Sequence, residues 1–247
     1  MNHTLLAGKT AAITGATRGI GRAAVAKMAD LGANICAIAR DKDELEKLSQ
    51  SLPSAQGRLV TFQGNVADYD QMGEAAKLAY DTFGSVDILI NNAGTGVDLL
   101  FEDLTKEVID RVIDVNLKGT IYCTRQFVPY MSRTGGNIIN ISSIAGTRGI
   151  SDPPVNGNGI YTASKYGING FSECMEKYLR KYNIRVSTIC PGSTATSWWD
   201  RSEQGVASDK MIPPEYIADI IELILKGPEQ VIFKQFRLIS SEEADSY

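Results

Sequence analysis

Short apolar runs with strand character alternate with longer helix-forming runs along the whole chain, and this alternation leaves few folds open. Thr10–Ile13, Asn34–Ala39, Leu59–Gln63, Val86–Asn91, Asn137–Ser142, Arg185–Cys190 and Val231–Ile239 read as strands. Helices are expected from Ala23, from an N-cap at Asp41, and over Asp68–Phe83, Lys106–Met131, Tyr161–Tyr182 and Pro214–Lys226. Alternation with short links predicts an α/β fold, a doubly wound parallel sheet of about seven strands with helices on both faces. No repeat, low-complexity tract or evident linker divides the 247 residues, so residues 1–247 are expected to form one domain.

The first strand runs into Thr14-Gly15-Ala16-Thr17-Arg18-Gly19-Ile20-Gly21, which leads into a strong helix former, Ala23 to Ala29. Gly15 can take the tight turn, Gly19 admits a bulky ligand close to backbone, and Gly21 lets the helix lie against the strands. A helix start leaves unpaired N–H groups and a partial positive charge, a natural seat for a diphosphate. The spacing is neither the commoner G-x-G-x-x-G nor a P-loop, since no Gly-Lys-Ser/Thr follows. Gly15, Asn92, Ser143 and Pro191-Gly192 all fall at expected strand ends, where ligands bind in sheets of this kind. This clustering, more than any one motif, argues for a single site.

Composition removes several function classes. The net charge of −4 speaks against a nucleic-acid partner, whose phosphates need a basic face. No apolar run approaches the roughly 20 residues of a membrane span. The N-terminus lacks the charged-then-apolar pattern of an export signal, so a cytoplasmic protein without a membrane partner is expected. Cys36, Cys123, Cys174 and Cys190 are widely spaced among apolar neighbours and read as buried reduced thiols. The only histidine is His3, which removes His-based triads and His-rich metal sites, and no metal is expected.

A dinucleotide site that prefers NAD places Asp or Glu at the end of the second strand, about 20 residues after the glycines. Here Ala39 holds that place, Arg40 follows, and Arg18 lies inside the glycine turn. Two guanidinium groups suit a 2′-phosphate, so NADP(H) is expected over NAD(H). Asp41 is better read as a helix cap than as a ribose ligand. Asn65 and Val66, after the third strand, are candidates for the adenine edge.

Tyr161-Thr162-Ala163-Ser164-Lys165 sets a phenol and an ammonium on one helix face. At about 4 Å and an effective dielectric of about 20, their attraction is on the order of 4 kcal/mol. That is enough to move a phenol, ordinarily near pH 10, by about three pH units toward neutrality. Tyr161 could then pass a proton to a carbonyl oxygen as hydride arrives from a nicotinamide, or take one in the reverse direction. Ser143 would hydrogen-bond the same oxygen, with Ser142 as the alternative serine. Lys165 would also bind the nicotinamide ribose, and Asn116 would hold a water linking Lys165 to solvent, a role compatible with its capping an internal break in the helix.

These motifs together resemble the short-chain dehydrogenase/reductase family, of the 3-oxoacyl reductase and carbonyl reductase type. The resemblance rests on Thr14-Gly15-x-x-x-Gly19-Ile20-Gly21, Asn91-Asn92-Ala93-Gly94, Asn116, Ser143, Tyr161-x-x-x-Lys165 and Pro191-Gly192-x-x-x-Thr196, in the family's order over nearly the whole chain. It implies a Rossmann fold and catalysis by Asn116, Ser143, Tyr161 and Lys165. It implies a coenzyme held by Gly15, Thr17, Arg18, Gly19, Ile20, Gly21, Arg40, Asn65, Val66, Asn92, Ala93, Gly94, Tyr161, Lys165, Pro191, Gly192, Thr194 and Thr196. It also implies a homodimer or homotetramer paired through the two long helices, and a substrate-covering loop at about residues 194–213. That loop carries Trp198 and Trp199, which with Ser143 and Tyr161 are the expected substrate contacts.

Two features depart from the family pattern: the Pro- and Gly-rich stretch Ser151–Gly159 between Ser143 and Tyr161, and the short acidic C-terminus. The expected activity is reduction of a small ketone or aldehyde by NADPH. The rivals are alcohol oxidation by the same site and a cofactor-binding sensor or scaffold without turnover. An acyl-carrier-protein substrate would want a basic face, and the turn at residues 132–136 offers Arg133 alone.

Overall fold

The computed structural model describes residues 5–52, 58–97, 99–149, 158–196 and 208–241. Seven strands form one sheet: β1 (Thr10–Thr14), β2 (Asn34–Ala39), β3 (Leu59–Gln63), β4 (Ile88–Asn91), β5 (Gly136–Ile141), β6 (Ile184–Pro191) and β7 (Gln235–Leu238). Their order is β3-β2-β1-β4-β5-β6-β7, and every pair is parallel. β1 lies between β2 and β4, so the winding direction reverses beside its C-terminal end.

The helices are α1 (Gly19–Asp30), α2 (Lys42–Ser51), α3 (Tyr69–Phe83), α4 (Lys106–Ile113), α5 (Gly119–Met131), α6 (Asn158–Leu179) and α7 (Pro214–Lys226). Alternation along each strand divides the core. Ala11, Ile13, Ile35, Ala37, Ile88 and Ile90 meet α1, α2 and α7, whereas Ala12, Cys36, Ile38, Leu89 and Ile138 meet α3, α5 and α6. Burial on both faces explains why β1, TAAIT, and β4, ILIN, are buried throughout. Asp41 and Asp68 cap α2 and α3 with their carboxylates.

The expected long helix Lys106–Met131 is not continuous. A π-helical turn, Asp114–Lys118, separates α4 from α5 and carries Asn116, which is fully buried. The expected last strand shortens to Gln235–Leu238, and Arg180–Tyr182 ends the α6 region as a 3₁₀ turn. Cys36, Cys123 and Cys190 are buried thiols as expected, but Cys174 is exposed on α6. Among the described residues no helix is long and apolar enough to cross a membrane.

Candidate active site

β1 ends at Thr14 and α1 begins at Gly19. Gly15 and Gly19 have φ of +63° and +51°, the left-handed region that favours glycine. Gly21 is needed for space: a Cβ there would lie 2.1 Å from the Gly15 carbonyl oxygen and 2.6 Å from Asn92 Nδ2. Asn92 Nδ2 donates to the Thr14 and Gly15 carbonyls at 3.0 and 3.1 Å. The Thr14 hydroxyl in turn accepts from the Asn92 and Ala93 amides, both at 3.0 Å. The Asn91–Gly94 stretch therefore clamps the glycine turn to the end of β4. Arg18 is the N-cap of α1 and makes no side-chain cap, so the first-turn amides keep their capacity for an anion. Thr17 and Ile20 flank this cradle half-buried.

Arg18 and Arg40 are both exposed, and no described residue forms an ion pair with either. Asp41 is occupied as a cap, accepting from the Glu44 amide at 3.1 Å. Asn65 is exposed, and its Oδ1 accepts from the Ala67 amide at 3.1 Å. Val66 is 7% exposed and packs where a Cβ on Gly119 would come within 2.8 Å of its Cγ2. At the end of β6, Pro191 and Gly192 turn the chain, and the Thr194 hydroxyl donates to the Gly192 carbonyl at 3.0 Å. Thr196 lies over the glycine turn: a Cβ on Gly19 would sit 3.0 Å from its Cγ2.

Tyr161 and Lys165 stand at the N-terminal end of α6, against the end of β5. Ser143 hydrogen-bonds the Tyr161 phenol, while Ser142 Oγ donates to the Lys165 carbonyl at 3.2 Å. The two serines are thus separated by role, and Ser143 is the one on the phenol. Ser143 Oγ also accepts from the Ala145 amide at 3.1 Å, which fixes its rotamer.

The expected downward shift of the Tyr161 phenol is corrected here. Lys165 Nζ lies 5.6 Å from the centroid of the Tyr161 ring and donates to the Ile141 carbonyl at 3.0 Å. The Tyr161 ring is half-buried overall, but protein surrounds the phenol, and burial pushes its pKa up to about 12 against the opposing pull of Ser143. Burial brings Lys165 down to about 8, with Cys190 opposing. Desolvation is the largest cause for both groups.

Asn116 sits at the internal helix break, and its side chain is fully engaged. Its Oδ1 accepts from the Thr95 amide at 2.8 Å, and its Nδ2 donates to the Thr95 carbonyl at 2.9 Å and the Ser164 hydroxyl at 3.0 Å. The Asn116 carbonyl accepts from Thr120 Oγ1 at 2.8 Å. The side chain therefore ties the loop after β4 to α6. Gly94 lies within this cluster: a Cβ there would be 3.6 Å from Asn116 Oδ1 and 3.8 Å from Lys165 Nζ.

Ser143, Tyr161, Lys165, Asn116 and Gly94 are thus brought together. Trp198, Trp199 and most of the Ser151–Gly159 stretch lie outside the described residues. Sequence reasoning missed the supporting partners Thr14, Thr95, Ser164 and Asn169. Of these, Thr14 and Ser164 stood inside motifs, where the Thr14 hydroxyl could have been read as a strand-end acceptor.

A parallel sheet with a phosphate-sized glycine cradle and a buried Tyr–Ser–Lys group at its reversal point defines a Rossmann-type oxidoreductase. Residues 9–207 match the family model described as short chain dehydrogenase. A 3-oxoacyl-(acyl-carrier-protein) reductase of Thermotoga maritima is 35% identical over 225 residues, 87% of this chain and 89% of that protein. An uncharacterized oxidoreductase of Staphylococcus epidermidis is 31% identical over 227 residues, 90% of this chain and 93% of its own. Among solved structures, an alcohol dehydrogenase of the archaeon Thermococcus sibiricus, complexed with 5-hydroxy-NADP, superposes with a TM-score of 0.84 at 28% identity, over 94% of this chain and 97% of that one. The chain belongs to the short-chain dehydrogenase/reductase family.

Proposed function

We propose that this protein reduces a ketone or aldehyde to the alcohol with NADPH. The observation that carries the reading is the meeting of Tyr161, Ser143 and Lys165 beside the glycine cradle. The coenzyme's fit rests on the chain itself: left-handed backbone at Gly15 and Gly19, an α1 start without a side-chain cap, and two exposed guanidinium groups with no ion pair among the described residues. The diphosphate would lie on the amides of residues 17–21, and the 2′-phosphate between Arg18 and Arg40. NADPH in that seat supplies the hydride.

Ser143 and Tyr161 both present hydroxyls to the position of a carbonyl oxygen, where they stabilise its developing negative charge. Tyr161 keeps its proton at neutral pH and gives it to that oxygen. Lys165 carries positive charge below pH about 8 and stabilises the phenolate left behind. The same phenol takes the proton back when an alcohol is oxidised, so oxidation by the same site is the alternative reading. A sensor or scaffold without turnover would require none of these buried polar groups together.

A small free carbonyl is the favoured substrate class. Arg133, the cation at the turn where an acidic carrier protein would dock, is engaged: Nη1 donates to the Tyr80 hydroxyl at 2.7 Å and the guanidinium stacks on that ring. Exposed Ile109 on α4 and Tyr166 and Tyr178 on α6 offer apolar surface for a homodimer or homotetramer. The test is NADPH oxidation against ketones, aldehydes and 3-oxoacyl esters, repeated with NADH. Tyr161→Phe should abolish turnover and leave NADPH binding nearly unchanged, and a Tyr161→Phe enzyme that still turns over removes the proposed acid.

A further inference from the structure

One turn beyond Lys165 on the same face of α6 sits Asn169, 7% exposed and outside every motif of the site. Its Nδ2 donates to the Gly146 carbonyl at 2.8 Å, and the Cys190 thiol donates to its Oδ1 at 3.8 Å. One amide therefore joins α6 both to the turn after β5 and to β6. The turn it holds presses directly on the lysine. A Cβ at Gly146 would lie 2.7 Å from the Lys165 carbonyl oxygen and 2.8 Å from Ser142 Oγ. Ser142 binds that same carbonyl, and the neighbouring Ile141 carbonyl receives Lys165 Nζ.

We propose that Asn169 is a positioning residue for Lys165: with Cys190 and Ser142 it clamps α6 against the ends of β5 and β6 so that the ammonium keeps its place. The proposal rests on the reductase reading for its kinetic consequence, but its geometry stands apart from it. Buried amides and thiols of this kind are costly unless paired, and here both functions of the amide are used. Alternative side chains at 169 serve less well: an aliphatic one makes neither bond, and a carboxylate has no donor for the Gly146 carbonyl. Among the described residues, the titratable groups facing Lys165 are Tyr161 on its own helix and Cys190 on β6, and Arg237 on β7 acts on Cys190.

The test compares Asn169→Leu and Cys190→Ala with the wild type. The expected result is a kcat reduced about ten- to hundredfold in Asn169→Leu with KM for the carbonyl little changed. The lysine-linked limb of the pH–rate profile, near pH 8 in the wild type, should move in both variants. Cys190→Ser restores the donor and should lie closer to the wild type than Cys190→Ala. A folded Asn169→Leu with the wild-type kcat and pH profile overturns the proposal, whatever its melting temperature. If the wild type itself reduces no carbonyl, the reductase reading fails separately. The lysine's titration is then followed through the pH dependence of unfolding, where an unmoved midpoint in Asn169→Leu overturns the positioning role and a moved one supports it. If Asn169→Leu does not fold, Cys190→Ala, which removes one arm, carries the same pair of outcomes.

Discussion

Lys165 and Tyr161 show how a site's chemistry is set residue by residue. Their spacing places both on one helix face, but sequence spacing says nothing of which carbonyl the lysine will find. Ile141 takes the ammonium, and burial then decides both titrations. The coenzyme end is simpler because its groups are exposed. With Ala39 where an acidic residue would repel a 2′-phosphate, Arg40→Ala should weaken NADPH by about tenfold or more and NADH little. Equal losses for both coenzymes, measured by fluorescence titration, would show that Arg40 does not read the phosphate. Gly21→Ala is a steric counterpart. Its new methyl would lie 2.1 Å from the Gly15 oxygen, so the turn must shift. A loss of about 1–3 kcal/mol in stability is expected, together with weakened NADPH binding. Urea unfolding and coenzyme titration check the two parts.

At the scale of elements, strand ends organise the molecule, and the two ends of the sheet divide the work. The C-terminal ends carry the site. At the opposite end, the buried carboxylate of Asp87, just before β4, accepts from Lys9 Nζ at 2.9 Å, the Thr10 amide at 2.9 Å and the Ser85 hydroxyl at 2.7 Å. Asp87→Ala strands a buried amide at the start of β1 and should cost about 2 kcal/mol. Its kcat should stay at the wild-type level, because no reacting group lies there. A large loss of kcat in the folded variant would mean that the two ends are coupled through β1 and β4.

The alternation of strands and helices was legible because the central strands are buried on both faces and read as largely apolar runs, while the edge strands β3 and β7 are only partly buried. The break at Asn116 was legible only as one reading of a polar residue in an apolar helix, because Ile109, Val112, Ile113 and Leu117 keep helical spacing straight into it. What makes the π turn is a side chain reaching across space to Thr95 and Ser164, and no local pattern encodes such partners. For the same reason the motifs marked Asn91 but not the buried chain it starts. Asn91 Nδ2 donates to Asn140 Oδ1 at 2.8 Å, and Asn140 Nδ2 to Ser172 Oγ at 2.8 Å.

For the whole molecule, a buried ammonium is a cost that folding must meet. The Lys165 pKa falls from 10.5 to about 8 in the folded protein. Between those values the unfolded chain binds the proton and the folded one does not, so stability rises with pH across this window. Below about 8 the full penalty is present, on the order of 3 kcal/mol for a shift of this size. Tyr161 acts in the opposite sense at higher pH. Its phenol is raised from 10.0 to about 12, so the unfolded chain loses the proton first and stability falls across that interval. Lys165→Met removes the ammonium while keeping a flexible apolar stem in the buried channel. It should therefore be more stable than the wild type at pH 7, less the roughly 1 kcal/mol for the Ile141 carbonyl left without its donor. The advantage should shrink from pH 8 upward and vanish or reverse near and above 10.5, where the folded lysine is neutral and the unfolded one has lost half or more of its charge. Paired urea unfolding curves at pH 7, 9 and 10.5 read this difference directly. A stability difference that does not vary with pH would mean that the folded protein does not hold the lysine below its ordinary value, and the charge invoked for the reaction would then be present well above pH 8.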